Sequence, residues 1–406
     1  MDSHGNPRPG WRPHLLIAWQ AFWMTRLLIW AAGLSAIAIW GVSRRQHDFD
    51  QPGLTRPFGP LGDALVAPGA RWDSYWFLSI AQDGYDSIRA AFFPLYPLLV
   101  GPGKLLGEEG MLLGGLAVSC VCLVGALAVL HRLTELELGS GPARWTVYAV
   151  ALFPMSFFFS AVYSEALFLL LSVGTFYAAR TDQWALAGTL GALGAATRSA
   201  GILLAFALLI IWITQTEVRP RDGAWIALVP LGLVAYCLAL HLIGESWNAP
   251  FEAQDTWFRE FAGPFGGAWD GAVAAVKGLP HMFDTTNVSV STDGTIFTAP
   301  REARHNVELF AYLLLALAAL AGVARRLPPA YAAYSLAALA LPLSYPVEAQ
   351  PLMSLPRFVV VLFPLFMWLG WWLDQGSARR RWVVLGGFAL VLAISVARFA
   401  TWHWVA

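Results

Sequence analysis

Long apolar segments recur along almost the whole chain, and they constrain its fold more than any other feature. The first runs from Leu15 to Trp40, which is too long for the apolar core of a cleaved signal peptide and long enough to cross a bilayer. Hydrophobic residues make up 57% of the sequence and charged residues only 13%, against roughly 25% charged residues in soluble domains. Because a segment in lipid must satisfy its own backbone hydrogen bonds, the sequence predicts an all-α polytopic membrane protein.

About 11 segments are predicted to cross the membrane, within a range of 10–13, and together they form a single membrane domain over 1–406. The predicted spans are 15–40, 111–131, 144–161, 163–180, 183–197, 200–216, 224–243, 305–325, 329–345, 356–373 and 382–400. Residues 90–107 are apolar but rich in proline, so they either cross the membrane or only enter it. Two larger regions are predicted outside the membrane: a first loop over 41–110, with amphipathic helices, and a second loop over 244–304.

Arginine placement predicts the orientation of these spans. With a cytoplasmic N-terminus and a segment 90–107 that does not fully cross, the short loops on the opposite face contain only Arg198 and Arg357. The cytoplasmic side then receives Arg132, Arg144, Arg180, Arg219, Arg221, Arg325, Arg326, Arg379, Arg380 and Arg381. This asymmetry follows the positive-inside rule. Both large loops are therefore predicted to be extracytoplasmic, where substrates are lipid-borne or extracellular.

Several classes of function are disfavoured by composition and motif. The net charge is +0, which implies no long-range attraction to nucleic acid. Cys120, Cys122 and Cys237 all lie in apolar runs and are predicted to be small core residues. The sequence has no glycine loop for a mononucleotide and no zinc-type His/Cys motif. We therefore expect no cofactor and no zinc-type metal centre.

The stretch from Arg71 to Tyr85 is the most unusual segment of the first loop. As a helix it would place Asp73, Trp76 and Ile80 on one stripe, with Gly84 as the C-cap. A carboxylate among apolar and aromatic side chains is one way to build a general base. The alternative is an interfacial helix whose aromatic residues lie at the headgroups and which Asp73 merely caps.

Two further ionisable residues lie between apolar segments. Glu165 follows Tyr163 and Ser164 at the tip between two predicted spans. It is either a carboxylate in the first turn of a helix that Ser164 caps, or a partner for a sugar hydroxyl or an arginine. Arg198 separates two apolar runs. It is either a snorkelling interfacial residue or a phosphate ligand, because guanidinium binds phosphate through two parallel hydrogen bonds.

The same alternatives apply to two later segments. Arg357 follows Pro356 at a predicted helix start, where the helix dipole opposes a cation and favours an anionic partner. In the second large loop, Gln254, Trp257 and Arg259 could line a sugar site, with the sugar ring stacked on the indole. The alternative for that segment is a surface amphipathic helix lying on the bilayer.

Several short motifs occur in an order that resembles the PIG-V-like mannosyltransferases, in their bacterial branch. These motifs are Arg71-Trp72-Asp73, Phe92-Phe93-Pro94, Tyr163-Ser164-Glu165, Arg198-Ser199-Ala200-Gly201 and Pro356-Arg357-Phe358. The resemblance extends over most of the chain, and the order of the motifs is more specific than any one of them. It implies a GT-C-type glycosyltransferase fold.

The resemblance also implies a reaction. A sugar, mannose or a related one, passes with inversion from a polyprenyl-phosphate donor to a hydroxyl of a lipid or glycan acceptor on the extracytoplasmic face. Asp73 takes the position of the catalytic carboxylate of the family and is assigned as general base, with Arg198 and Arg357 at the donor phosphate. The candidates for sugar or acceptor binding are Arg71, Trp72, Tyr85, Tyr163, Glu165, Gln254, Trp257 and Arg259.

The expected partners are thus the lipid-linked donor, the acceptor and membrane lipids, in the plasma membrane of a bacterium. Two alternatives remain: a lipid or oligosaccharide transporter, and a non-catalytic membrane scaffold. A transporter typically has repeated halves with broken helices in matching positions, and the sequence has no such symmetry.

Overall fold

A computed structural model describes residues 10–42, 51–215, 218–292 and 295–405. Residues 43–50 of the predicted first loop and residues 293–294 of the second lie outside the described residues. The helices of ten or more residues are α1 (Arg12–Trp40), α2 (Ser74–Asp83), α3 (Gly107–Leu138), α4 (Ser140–Leu152), α5 (Glu165–Arg180), α6 (Trp184–Ala195), α7 (Leu203–Ile213), α8 (Leu228–Leu242), α9 (Gly266–Gly278), α10 (Arg301–Arg326), α11 (Pro329–Leu343), α12 (Phe363–Asp374) and α13 (Ala378–Ala400).

Each predicted span overlaps one of these helices, and the chain is a multi-pass α-helical membrane protein. Two spans differ from their prediction: in 144–161 the α-helix ends at Leu152, and in 356–373 a short helix, Leu355–Val360, is separate from α12. Among the described residues, five helical segments are long and apolar enough to cross a bilayer: Arg12–Trp40, Leu95–Leu138, Pro220–Leu242, Arg301–Arg326 and Ala378–Ala400. Three shorter apolar helices are Trp184–Ala195, Ser199–Ile213 and Pro329–Leu343. The count of about 11 spans and the orientation stay predictions.

The proline-rich segment 90–107 does not form one long helix. It contains a helix over Leu95–Val100 and a 3-10 helix over Gly101–Leu106, and α3 begins at Gly107. A six-residue helix rises only about 9 Å. This is far short of the roughly 30 Å hydrocarbon core, so Leu95–Val100 cannot cross the membrane alone.

In the part of the chain that the structure describes, one β-hairpin interrupts the helical architecture and was not predicted from the sequence. Strand β1 (Val288–Thr292) pairs antiparallel with β2 (Thr295–Ala299), with Val290 opposite Phe297. The buried side chains of Val290 and Phe297 pack with Ala274 of α9 and Ala303 of α10. The hairpin therefore belongs to the packed part of the second large loop.

The described residues form two compact units. The first contains the described residues of Met1–Leu78, together with Leu99–Thr181 and Phe366–Val405. The second contains Ser79–Leu98 and Asp182–Leu365. The prediction of one domain over the whole chain stays a prediction.

A buried arginine organises the interior of the first unit. Arg26 lies within α1 and is only 7% exposed. Its guanidinium donates to the carbonyl oxygens of Ala151 and Ser156 at 3.1 and 2.9 Å, and to the hydroxyls of Ser156 and Ser160, each at 3.2 Å. These acceptors lie where α4 ends and a 3-10 helix, Ser156–Ser160, begins. Arg26 thus satisfies backbone and side-chain oxygens that helix geometry leaves open at membrane depth.

Close glycine contacts organise the second unit, where α6 packs against α8. A Cβ placed on Gly232 of α8 would collide with the carbonyl oxygen of Ala192, and one placed on Gly191 of α6 would lie 2.7 Å from Val229. Small residues permit such close approach of helices in membranes. The α6–α8 contact therefore depends on glycine at these positions.

We expect Gly232→Ala to destabilise the protein by about 1–3 kcal/mol, because the new methyl group overpacks a backbone contact that cannot yield. Gly386→Ala in α13 is the matched control, since nothing lies within 4 Å of a Cβ at that position. The measurement is thermal unfolding of both purified variants in the same detergent. Equal melting temperatures would contradict the predicted role of Gly232.

Candidate active site

The predicted catalytic carboxylate lies in a turn immediately before a helix. Helix α2 begins at Ser74, and Asp73 precedes it. The Asp73 carbonyl accepts hydrogen bonds from the backbone N–H groups of Trp76 at 3.0 Å and Phe77 at 3.4 Å. Asp73 is partly exposed, so its carboxylate is accessible at the positive end of the helix dipole rather than within an apolar helical stripe. Gly84 ends α2 as predicted, with φ of 87° and its N–H bonded to Ile80.

Tyr163 fixes the backbone of this turn. Its hydroxyl donates to the Arg71 carbonyl at 3.0 Å and accepts from the Asp73 N–H at 3.2 Å. The Tyr163 ring is buried and packs on Phe158 at a centroid distance of 4.8 Å and on Phe77 at 6.2 Å. Tyr163 is therefore placed as a positioning residue for Asp73.

The C-terminal end of the described chain covers the other side of the turn. Trp72, which has a positive φ of 56°, lies against Trp402 and Trp404 with ring centroids 5.6 and 5.1 Å apart. Arg71 is buried, and its guanidinium lies 4.9 Å from the Trp402 ring centroid. Cation–π contact and aromatic packing thus hold both residues that precede Asp73.

Glu165 is completely buried in the first turn of α5. The predicted cap is absent, because the Ser164 side chain accepts no capping hydrogen bond. A carboxylate at this position is favoured by the helix dipole. Its burial favours the interpretations as a helix-end residue or an arginine partner over direct contact with a sugar.

In the second unit, two arginines lie beside one aromatic ring. The guanidinium carbons of Arg198 and Arg259 are 5.7 and 5.8 Å from the Phe358 ring centroid. Arg357 is the neighbour of Phe358 on the short helix Leu355–Val360 and is partly exposed. The structure therefore brings the guanidinium groups of Arg198 and Arg259 to the same aromatic ring, and Arg357 lies next to that ring in sequence.

Arg259 reaches this region through an extended segment rather than a helix. It forms a β-bridge with Val347 and donates to the Tyr345 carbonyl at 3.2 Å. Near it, helical structure is limited to Ala249–Glu252 and the 3-10 helix Asp255–Trp257. The alternative of a surface amphipathic helix over Gln254–Arg259 is therefore wrong.

The remaining predicted residues surround the segment near Phe92. Trp257 packs edge-on against Phe92 at 6.0 Å, and the Gln254 amide lies 3.5 Å from the Pro250 carbonyl. Tyr85 donates to the Phe92 carbonyl at 2.9 Å, and burial raises the pKa of its phenol above the ordinary value. Tyr85 therefore stays neutral and serves as a structural hydrogen-bond donor.

Two contributors, Arg26 and Tyr236, were missed from the sequence. Phe358 was named only within a motif, and no role at the site was predicted for the Trp402–Trp404 segment. Tyr236 donates to the carbonyls of Ala90 and Phe92 at 2.9 and 3.0 Å, and so holds the Phe92 segment against α8. The available signal was a polar or charged residue within an apolar run, as at Arg26 and Tyr236. No sequence pattern pairs Trp72 with tryptophans about 330 positions later.

The region around Asp73 is similar to known proteins. Residues 62–216 match the family model described as mannosyltransferase (PIG-V). The GPI alpha-1,6-mannosyltransferase 2 of Cricetulus griseus is 37% identical over 155 residues, covering 35% of this chain and 31% of the relative. That of Rattus norvegicus is 34% identical over 206 residues, covering 47% and 40%. The GPI mannosyltransferase 2 of Drosophila pseudoobscura pseudoobscura is 32% identical over 143 residues, covering 32% and 31%.

The chain spans less than half the length of these three relatives. The family match contains the Arg71–Asp73 turn, Tyr163, Glu165 and Arg198, whereas Gln254, Trp257, Arg259 and Arg357 lie beyond it. Over residues 62–216, the chain is therefore similar to the PIG-V mannosyltransferase family.

Proposed function

We propose that this chain is a membrane glycosyltransferase of GT-C type that transfers mannose from a polyprenyl-phosphate donor to a hydroxyl of a lipid or glycan acceptor. The observation that carries the proposal is the Arg71–Asp73 turn, which lies within the family match. The Tyr163 hydroxyl forms hydrogen bonds with both ends of this turn. The relatives transfer mannose, by their names, and this supports mannose as the sugar here.

Asp73 acts as the general base of this reaction. Its carboxylate takes the proton of the acceptor hydroxyl while the acceptor oxygen bonds to the anomeric carbon of mannose. The bond from that carbon to the phosphate oxygen breaks, and the electron pair leaves with the polyprenyl phosphate. Attack opposite the leaving group inverts the anomeric configuration. A base positioned in this way typically contributes about 10²–10⁴-fold to the rate.

The arginines near Phe358 bind the donor phosphate. Arg198 and Arg357 are assigned to this role, and Arg259 joins them because it shares the Phe358 ring with Arg198. Fixed guanidinium groups stabilise the charge that remains on the departing phosphate. Since they supply this positive charge themselves, the reaction requires no metal.

An apolar cleft in the first unit suits the isoprenoid chain of the donor. Its volume is about 390 Å³, and its walls include Trp23, Trp30, Leu116, Phe157, Phe399 and Ala400. Ala400 is also the residue whose carbonyl oxygen lies 3.5 Å from the Arg71 Nε. A lipid chain in this cleft would therefore lie beside the turn that contains Asp73.

Trp72, Gln254 and Trp257 remain the candidates for contact with sugar or acceptor, whereas Tyr85 and Tyr163 position backbone. The arginine asymmetry supports an extracytoplasmic active site, with a cytoplasmic N-terminus. The relatives named above are animal proteins, so a bacterial plasma membrane is proposed on composition alone.

Arg198→Gln is expected to raise the KM for the lipid-phosphate donor by about 10–100-fold, because it removes a charged hydrogen-bond donor from the phosphate. Arg304→Gln is the matched control, since the exposed Arg304 also lies beside an aromatic ring, at 6.0 Å from the centroid of Phe283. Initial rates at varied donor concentration give both values. A donor KM unchanged in Arg198→Gln would contradict the assignment.

The function itself is tested by reconstituting the purified protein in lipid nanodiscs with radiolabelled polyprenyl-phosphate mannose and a membrane lipid extract. We expect label in a new lipid or glycan product. Digestion of the product with anomer-specific mannosidases should show that its mannosyl bond has the opposite anomeric configuration from that of the donor. Retained configuration in the product would contradict the mechanism, and absence of any product with an active donor preparation would contradict the function.

A further inference from the structure

Two buried histidines from different helices meet in the first unit. His14 near the start of α1 and His131 near the end of α3 are 1% and 4% exposed. Their Nδ1 atoms are 2.9 Å apart, and their ring centroids are 5.0 Å apart. One ring thus donates a hydrogen bond to the other, which leaves the second nitrogen of each imidazole for another partner.

A carboxylate completes the group. Glu135 lies one helical turn after His131, at the i,i+4 spacing that places both side chains on one face of α3. Its Oε2 is 3.7 Å from the Nε2 of His14, too long for a hydrogen bond. The Glu135 side chain is 32% exposed, so an ion from solution can reach the group without unfolding.

The three side chains have the composition and spacing of a transition-metal site. One nitrogen from each histidine and one oxygen of Glu135 all lie within 4.8 Å of one another. Two ligands in a tetrahedral zinc site, at bond lengths near 2.1 Å, are separated by about 3.4 Å. The 3.7 Å gap between His14 and Glu135 is therefore close to what a shared ion requires. Among the described residues, this is the one group of three or more such side chains with this spacing.

We propose that His14, His131 and Glu135 form a binding site for a divalent transition-metal ion such as Zn²⁺. Two neutral imidazoles and one carboxylate leave a fourth position open to water. The ion links α1 to α3 across 117 positions of sequence. Borderline ligands of this kind favour Zn²⁺ over Mg²⁺ or Ca²⁺, which prefer oxygen.

The position of the site separates it from the proposed chemistry. Along α1, His14 is about 28 Å from Gly33, which lies beside Ala400 at the end of the apolar cleft near Arg71. The nearer end of the cleft, at Phe22, is about 12 Å from His14. The neighbouring cation, Arg132, has its guanidinium 4.2 Å from the Trp11 ring centroid and 5.7 Å from that of Tyr177. The ion therefore serves the packing of the first unit, and its binding is measurable without the transfer reaction.

The test is Zn²⁺ titration by calorimetry of the purified, chelator-treated protein in nanodiscs, prepared with an affinity tag that contains no histidine. We expect one Zn²⁺ per chain for the wild type, loss of that binding in His131→Asn, and at least 10-fold weaker binding in Glu135→Gln. Glu135 is partly exposed, so Glu135→Gln keeps the test valid if His131→Asn does not fold. His241→Asn, at an exposed histidine stacked on Trp247, is the control and should bind as the wild type does.

Melting temperatures with and without Zn²⁺ provide a second readout. The wild type and His241→Asn should be stabilised by the ion, and the two site variants should not. Absence of stoichiometric binding by the wild type would overturn the proposal and leave a hydrogen-bonded histidine pair. Wild-type affinity in both His131→Asn and Glu135→Gln would overturn it equally, by placing the ion elsewhere.

Discussion

Asp73→Asn is expected to lower kcat/KM for mannosyl transfer by about 10²–10⁴-fold, because an amide cannot accept the proton of the acceptor hydroxyl. The substitution keeps the size of the side chain. The Asp73 N–H donates to the Tyr163 hydroxyl, and the Asp73 carbonyl accepts from the N–H groups of Trp76 and Phe77. None of these hydrogen bonds involves the carboxylate, so the turn should persist. Initial rates at saturating acceptor and varied donor concentration give kcat/KM for the purified wild type and for the variant.

Asp83→Asn is the matched control for this experiment. Asp83 is the last residue of α2, and its half-exposed carboxylate lies 3.8 Å from Arg89. A surface ion pair of this kind contributes little, so the control should keep nearly all of the wild-type activity. Equal activity in Asp73→Asn and Asp83→Asn would remove Asp73 as the base.

Arg26→Met is expected to reduce the free energy of unfolding by about 2–4 kcal/mol, because it removes the donor from two carbonyl oxygens and two serine hydroxyls in the interior of the first unit. Methionine retains much of the volume of arginine, so a cavity is not the main cause of the loss. Denaturant-induced unfolding in mixed micelles, followed by tryptophan fluorescence, provides the measurement.

Arg325→Met is the control for Arg26→Met. Arg325 is exposed in the last turn of α10 and should tolerate the change with a loss below about 0.5 kcal/mol. If Arg26→Met unfolds at the same denaturant concentration as the wild type, the free-energy cost of burying the guanidinium equals the stabilisation from its hydrogen bonds. The role assigned to Arg26 in supporting the Ser156–Ser160 segment would then be wrong.

The helical architecture followed from local patterns. Apolar runs such as that from Leu15 to Trp40 are decided by hydropathy alone, and the end of α2 at Gly84 follows from the ease with which glycine adopts positive φ. The pairing of Val288–Thr292 with Thr295–Ala299 was missed because the alternation in these strands is short and partly polar. Their buried side chains Val290 and Phe297 gain their partners, Ala274 and Ala303, only from distant helices.

The candidate site was predictable in part, for a different reason. Asp73 and Arg198 were identified by ordered motifs within 62–216, where the family match also lies. The contacts that define their surroundings join residues far apart in sequence: Tyr163 on the Asp73 turn, Trp402 on Arg71, and Phe358 beside Arg198. Such pairings are set by tertiary packing, which neither spacing nor propensity encodes.

The proposed metal site also depends on a contact between residues that are far apart in sequence. A search for zinc motifs examines ligands that are close in sequence, and His131 with Glu135 alone is too common a pair to be specific. The third ligand, His14, comes from a helix 117 positions earlier and meets the pair only in the folded unit.

The central claim, that a lipid-linked sugar is the donor, is tested most directly by comparing donors. Purified wild type in nanodiscs is given radiolabelled mannose either as polyprenyl-phosphate mannose or as GDP-mannose, at equal concentration and with the same lipid acceptors, and Asp73→Asn serves as the blank. We expect labelled product from the polyprenyl donor alone, and at least 100-fold less product from Asp73→Asn than from the wild type. Transfer from GDP-mannose at an equal or higher rate would contradict it.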